Sequence, residues 1–192
     1  YLFYQTLLGA YPFDLVEYPA FIERIKAYLI KAVREAKVHT HWLEPDSRYE
    51  NALLAFAEQV LEPGRDNPFL QAFLPFQRKI QHHGILNSLA QTLLKLTTPG
   101  LPDFYQGTEL WDLSLVDPDN RRPVDFERRG ALLKTLQSHA SENLGGLLKE
   151  LVAAPEDGRI KLFLIYRALQ ARRAERELFQ HGAYQKLTVI GS

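Results

Sequence analysis

Between Thr97 and Asp125 the chain carries Pro99, Gly100, Pro102, Gly107, Pro118 and Pro123, and no continuous helix can run through that spacing. The stretch divides the sequence into two helical halves joined by irregular backbone. Only Asp103 to Gly107 is open enough to form a short buried strand. Before the break, Pro19 suits a first helical position, and Phe21, Ile25, Leu29 and Val33 recur four apart, which predicts a helix over 19–38. Ser47-Arg48-Tyr49-Glu50 reads as a capping box opening a second helix through Leu53, Leu54, Ala57, Val60 and Leu61, closed by Pro63-Gly64. Asn67-Pro68 starts a third helix with Phe69, Phe73, Phe76 and Ile80, and Gly84 is expected to separate it from a fourth with Leu86, Leu89, Leu93 and Leu94. After the break, helical patterns run through Phe126, Leu132, Leu133 and Leu136, then Leu144, Leu147, Leu148 and Leu151. A last one runs from Arg159 to about Arg176, after the turn Pro155-Glu156-Asp157-Gly158. Leu187 to Ile190 reads as a strand that stops as it starts.

Composition excludes several classes of function. With 46% hydrophobic and 24% charged residues the chain has the balance of a folded globular protein. Its 23 Lys plus Arg against 23 Asp plus Glu leave no basic field for a phosphate backbone, so nucleic acid is not an expected partner. Zero cysteines remove disulfides, thiolate metal sites and a cysteine nucleophile, and a cytoplasmic setting is the default. No apolar run is long enough to span a bilayer, and no membrane partner is expected. His39-Thr40-His41 and His82-His83 have no carboxylate at helical metal-ligand spacing, so no metal is assigned. Lys31, Arg34 and Lys37, like Arg172, Arg173 and Arg176, are interleaved with acidic residues and read as solvated faces, with Lys31 and Glu35 an i, i+4 pair. Ser88 and Ser114 lack a nucleophile elbow.

Chemistry concentrates in the irregular stretch. Leu101-Pro-Asp-Phe-Tyr-Gln-Gly-Thr-Glu-Leu-Trp-Asp112 gathers carboxylates, an amide and aromatic rings around a glycine, and Asp117-Pro-Asp-Asn-Arg-Arg-Pro-Val-Asp125 follows. A sugar site needs carboxylates and amides for paired hydroxyls, Arg as a fixed donor fork, and an aromatic face for the ring's C–H side. Tyr105, Trp111, Asp117, Asp119, Asn120 and Arg121 offer all three. The competing reading makes Asp117-Pro-Asp-Asn a tight turn and the two rings core.

Particular motifs narrow this. Tyr4-Gln-Thr-Leu-Leu-Gly-Ala10, Lys31-Ala-Val-Arg-Glu-Ala-Lys-Val-His-Thr40, Asn87-Ser-Leu-Ala-Gln91, Pro99-Gly-Leu-Pro-Asp-Phe-Tyr-Gln-Gly-Thr-Glu-Leu-Trp111 and Asp117 to Asp125 stand in one order. Together they resemble the maltooligosyl trehalose synthases of the α-amylase-like glycoside hydrolase clan, over nearly the whole chain. The resemblance implies an intramolecular transglycosylase, (1->4)-alpha-D-glucan 1-alpha-D-glucosylmutase. It would convert the reducing-end α-1,4 linkage of a maltooligosaccharide to α,α-1,1 in trehalose biosynthesis, without cofactor. The clan's retaining chemistry uses a nucleophile and an acid/base roughly 5 Å apart, plus a third carboxylate. In the family these sit on the fourth, fifth and seventh barrel strands, the last in a His-Asp pair. This chain contains no His-Asp dipeptide.

The resemblance therefore implies a C-terminal fragment, inactive alone, with no catalytic residue of its own. The expected fold is mainly α with one or two short strands, a helical C-terminal segment of a (β/α)8-barrel enzyme and not a complete barrel. Its expected parts are a helical insertion over 1–96, barrel strand eight and a substrate-cleft loop over 97–125, helices over 126–186, and the start of a truncated β-domain over 187–192. Because active sites lie at the C-terminal ends of barrel strands, Asp103, Tyr105, Gln106, Gly107 and Glu109 would line or orient the cleft. Trp111 would stack on a ring, and Asp117, Asp119, Asn120, Arg121 and Arg122 would hydrogen-bond sugar. Glu109 capping a turn and Arg121 pairing with a neighbouring Asp are the structural alternatives. Lys37 and His39 match a family motif without a role that their chemistry reveals. Expected partners are the maltooligosaccharide and the rest of the parent barrel. Self-association is also expected, through an apolar face formed by Leu2, Phe3, Leu7 and Leu8. The other reading is a stand-alone helical binding module.

Overall fold

The computed structural model describes residues 1–64, 66–188 and 190. Among them the chain forms seven α-helices: α1 (Leu2–Ala10), α2 (Tyr18–Ala36), α3 (Ser47–Leu61), α4 (Pro68–Thr97), α5 (Phe126–Ala153), α6 (Arg159–Ala174) and α7 (Arg176–His181). The residues divide into two compact units. One comprises Tyr1–Gly84 with Leu113–Pro123, the other Ile85–Asp112 with Val124–Ser192. The mainly helical expectation holds, and no barrel is present among the described residues.

In the first unit, α1, α2, α3 and the start of α4 enclose a core of Phe3, Leu7, Tyr11, Tyr18, Phe21, Ile25, Leu29, Ala57, Leu61 and Phe73. The four-residue spacing along α2 delivers Phe21, Ile25 and Leu29 to one face, and full burial of each such side chain contributes about 1.5–3 kcal/mol. Aromatic edges complete it: Tyr11 meets Phe21 at 5.3 Å between ring centres and Phe73 at 5.8 Å. The Tyr18 hydroxyl donates to the Leu61 carbonyl at 2.7 Å, capping the end of α3, and burial pushes that phenol upward. Helix α1, which the sequence pattern does not predict, supplies Phe3 and Leu7. Phe3 is 9% and Leu7 0% exposed, so the apolar face expected for self-association is instead largely core, with Leu8 packed against it and Leu2 left half-exposed.

A second departure concerns α3. Its N-cap is Asp46, whose Oδ1 accepts from the Tyr49 amide at 3.0 Å, and Ser47 is already helical. Glu50 is not a capping-box residue. Arg34 donates to both its oxygens at 2.8 and 2.7 Å, and the Thr40 hydroxyl donates to Oε1 at 2.7 Å while accepting from the Asp46 amide at 3.0 Å. This network ties the C-terminal end of α2 to the start of α3. The Arg34 and Thr40 hydrogen bonds lower the Glu50 carboxyl to about 2, against a smaller opposing effect of burial. The guanidinium also lies 5.0 Å from the centre of the Trp42 ring. Arg34 is therefore engaged with Glu50, and Lys31 pairs with Asp117, so the solvated face expected of these residues is kept only by the exposed Lys37.

Helix α4 runs unbroken through Gly84, where two helices were expected. One glycine costs only about 1 kcal/mol relative to Ala in a helix interior, too little to override continuous flanking pattern. Asn67 caps it as expected, its Oδ1 accepting from the Leu70 amide at 3.0 Å.

In the second unit, α5 and α6 pack through Leu136, Leu147, Leu151, Leu162 and Phe163, joined by Leu110. The two helical runs expected along α5 meet at Asn143, whose φ of −152° and ψ of 81° kink the helix. Its Oδ1 accepts from the Gly146 amide at 2.9 Å, an N-cap for the second run. The strand expected at Asp103–Gly107 does not form: 101–105 is irregular and 106–109 turns. A strand needs a neighbour for its backbone groups, and no other strand exists among the described residues. Leu187, Thr188 and Ile190 are likewise irregular, and Val189, Gly191 and Ser192 of the expected terminal strand lie outside the described residues.

Two expectations follow. Nothing lies within 4 Å of a Cβ built on Gly84, so Gly84→Ala should stabilise the chain by about 0.5–1 kcal/mol in urea denaturation; destabilisation would mean that the helix does not run through. The Glu50 contribution is fully present above the ordinary 4.5 and is lost as pH falls through about 2. The urea midpoint of the native chain should therefore fall more steeply across that window than that of Glu50→Gln.

Candidate functional site

The eleven residues singled out for sugar binding do not fall in one place in the chain's organisation. Asp103, Tyr105, Gln106, Gly107, Glu109 and Trp111 belong to the second unit, and Asp117, Asp119, Asn120, Arg121 and Arg122 to the first. Each group is organised by a cation on a neighbouring helix.

In the first unit, Arg24 on α2 reaches the segment Leu113–Pro123. Its Nε donates to the two Asp119 oxygens at 2.9 and 3.0 Å, and Nη2 donates to Oδ2 at 2.8 Å and to the Leu113 carbonyl at 2.5 Å. The Leu115 amide donates to Asp119 Oδ2 at 2.6 Å, and Arg122 Nε lies 3.2 Å from Oδ1. Burial works against the charge on Asp119, but Arg24 and the Leu115 amide hold its carboxyl below the usual range. Arg122 also donates to the Asp119 carbonyl at 3.0 Å and to the Ser114 hydroxyl at 3.0 Å. Two helical turns further along α2, Lys31 Nζ donates to the Asp117 carbonyl at 2.5 Å and to its Oδ1 at 3.2 Å, while Arg121 Nη2 reaches Oδ2 at 3.3 Å. Lys31 is the first cause of the lowered Asp117 carboxyl. Asp119 is thus a partly buried anchor, Asp117 is a paired surface carboxylate, and Asn120 and Arg121 are exposed.

In the second unit, Thr108 closes a turn by donating from its amide and hydroxyl to the Tyr105 carbonyl at 3.1 and 2.6 Å. Gly107 has φ +94°, and a Cβ there would meet Val124 Cγ2 at 3.0 Å, so the backbone needs glycine on both counts. Arg129 on α5 grips the turn: Nη2 donates to the Gly107 carbonyl at 2.6 Å, Nε to Glu109 Oε2 at 3.2 Å, and Nη1 to the Asp125 carbonyl at 2.9 Å. The Trp111 indole N–H donates to the Pro155 carbonyl at 2.7 Å, and Lys161 Nζ lies 5.4 Å from the ring centre. Burial lowers the Lys161 ammonium, opposed by Asp112 and Glu109. Arg172 on α6 donates to the carbonyls of Leu96 at 2.8 Å, Thr98 at 3.1 Å and Gly100, capping α4 and leading the chain into 101–106. It does not form the solvated face expected of it. Lys95 Nζ sits 4.4 Å from the Phe104 ring centre. Asp103, Tyr105 and Gln106 are left exposed, Tyr105 at 55%.

Sequence reasoning missed Arg24, Arg129, Arg172 and Lys161. Each stands in an ordinary amphipathic helix, 22 to 95 residues from partners such as Gly107 and Asp119, and nothing in the local pattern marks it. The one available signal is that carbonyl-rich, breaker-dense backbone must find donors elsewhere.

No protein-family model matches the chain. A Mycobacterium tuberculosis protein whose name provisionally describes it as a maltooligosyl trehalose synthase is 35% identical over 188 residues, 98% of this chain and 21% of that protein. A solved structure of maltooligosyl trehalose synthase is 36% identical with a TM-score of 0.79, covering 98% of this chain and 24% of that one. The Arthrobacter ramosus maltooligosyltrehalose synthase structure is also 36% identical, with a TM-score of 0.74 over 93% of this chain and 21% of that one. The chain thus spans about a fifth of the length of the curated relatives it matches. Among the described residues no helix is long and apolar enough to cross a membrane.

Because the Asp119 side chain is only 13% exposed and accepts from three partners, Asp119→Asn should destabilise the chain. Charge-assisted bonds of this kind contribute about 2 kcal/mol. An unchanged urea midpoint would show that the segment does not depend on this carboxylate.

Proposed function

We infer that this chain, a homologue of about a fifth of a maltooligosyl trehalose synthase, works as a structural part of such an enzyme. The observation that carries this reading is its likeness to the solved synthase over 98% of its length at 36% identity and a TM-score of 0.79. The whole enzyme would convert the reducing-end α-1,4 linkage of a maltooligosaccharide to α,α-1,1. One glycosidic bond breaks and another forms between the same two glucose units, so the product is an isomer and no co-reactant is consumed. The released glucose must re-attack through its anomeric hydroxyl before water does, which calls for a closed pocket at the reducing end.

Within that enzyme the chain binds and positions. The Asp103 carboxylate, the Gln106 amide and the exposed Tyr105 ring offer hydrogen-bond acceptors, donors and a stacking face to a saccharide. Gly107, Glu109 and Trp111 hold that turn in place through Arg129 and Pro155. Separately, Asn120 and Arg121 offer an exposed amide and guanidinium, with Asp117, Asp119 and Arg122 holding their loop through Lys31 and Arg24. The catalytic carboxylates belong to the rest of the enzyme, in which 1–96 would be an insertion, 97–125 the strand-eight and cleft segment, 126–186 the following helices and 187–192 the start of a β-domain, a division by place in the parent enzyme that differs from the two compact units.

Maltopentaose given to the whole enzyme encoded around this sequence should yield a product of unchanged mass without a reducing end, whereas the 192-residue chain alone should yield none. Retention of the reducing end by the whole-enzyme product, or turnover by the isolated chain, would overturn the reading.

A further inference from the structure

The stretch 101–106 has no secondary structure of its own, yet both of its ends are held by guanidinium groups. Arg172 binds the carbonyls of Leu96, Thr98 and Gly100 on the entering side. Arg129 binds the Gly107 carbonyl at 2.6 Å, Glu109 Oε2 at 3.2 Å and the Asp125 carbonyl at 2.9 Å on the leaving side. The two clamps differ in what they touch. Arg172 seats on the Leu96 carbonyl in the last turn of α4 and on two carbonyls just beyond it, as a C-terminal cap of that helix. Arg129 seats on the turn itself, and its side chain is 18% exposed.

We propose that Arg129 is a positioning residue, setting the place of Asp103, Tyr105 and Gln106 against the saccharide by fixing the Gly107 turn from α5. This rests on the binding role given above to that turn. Three acceptors in three directions suit a planar fork, and a lysine in its place can satisfy one at a time. Gly107 at φ +94° sets the backbone direction, but the turn closes with only the two Thr108 bonds to Tyr105. Without Arg129 the Gly107 carbonyl and the Glu109 carboxylate lose the donor that the structure gives them, and the turn can drift relative to α5. A drift of about 1 Å in a binding group costs up to about 100-fold in the rate of an enzyme reaction. Because the turn binds and does not react, the loss should appear in substrate affinity.

The test uses the whole enzyme with maltopentaose, comparing Arg129→Met, Arg129→Lys and, as control, Lys26→Met, whose parent residue pairs with Glu23 and Glu58 in the first unit. Arg129→Met should raise KM about tenfold with kcat within about twofold of native, and Arg129→Lys should fall between. Lys26→Met should match native. Calorimetric Kd for maltopentaose should follow the KM series, and the melting temperatures should not. An unchanged KM and Kd in Arg129→Met, or a loss of kcat alone, would overturn the proposal. Where Arg129→Met fails to fold, Glu109→Ala is measured instead. It removes one fork contact and leaves the Gly107 bond, and an unchanged Kd there counts equally against the proposal. A native enzyme that binds maltopentaose but forms no isomer overturns the proposed reaction, while the Kd series still decides the role of Arg129.

Discussion

Irregular backbone leaves many of its carbonyls without partners in a regular ladder, and in this chain arginines, most of them on helices, donate to them. From Leu96 to Asp125 the carbonyls of Leu96, Thr98, Gly100, Gly107, Leu113, Asp119 and Asp125 each accept from a guanidinium. For the partly buried carbonyls among them, those of Leu96, Thr98, Gly107 and Leu113, an acceptor left unpaired would cost up to about 1–3 kcal/mol. These bonds therefore keep the breaker-dense segment ordered. The exposed groups of the segment are presented only because other groups beside them are tied down.

The two units use the same device on different scaffolds. In the first, α2 carries Phe21, Ile25 and Leu29 into the core on one side, and Arg24, Lys31 and Arg34 toward carboxylates on others. In the second, α5 and α6 close a leucine-rich core and send Arg129 and Arg172 to the same irregular stretch. Apolar burial supplies most of the driving force for each unit. The ion pairs decide where the loops lie, a role for which a directional, charged fork is suited and a methyl group is not.

The departures from sequence-based expectation arise where a short motif is read without its surroundings. Ser47-x-x-Glu50 fits the capping-box pattern, yet Asp46 takes the cap because Arg34 and Thr40 claim Glu50. Gly84 looks like a boundary, yet α4 passes through it because flanking residues on both sides favour helix. Phe3 and Leu7 look like a face awaiting a partner, yet α1 turns them into the core of its own unit. In each case the local signal was correct as chemistry, and residues outside the short motif, flanking ones at Gly84 and more distant ones at Glu50 and in α1, took the decision.

What the sequence alone determined was the alternation of helix and break: the periods of four along α2, α3 and α5, the proline and glycine punctuation from Pro99 to Pro123, and the sugar-compatible side chains gathered there. These follow from local sterics and from burial of a repeating face, both legible within a few turns of chain. The homology to maltooligosyl trehalose synthases was legible too, because it resides in contiguous motifs. Only the tertiary structure decided which of the candidate residues are anchors, as Asp119, Glu109 and Trp111 are, and which are exposed, as Asp103, Tyr105, Gln106 and Asn120 are. It also decided that Asp103 to Gly107 is a tethered turn and not a strand. Such choices depend on donors up to 95 residues away, and proximity across that separation is set by packing and not by local sequence.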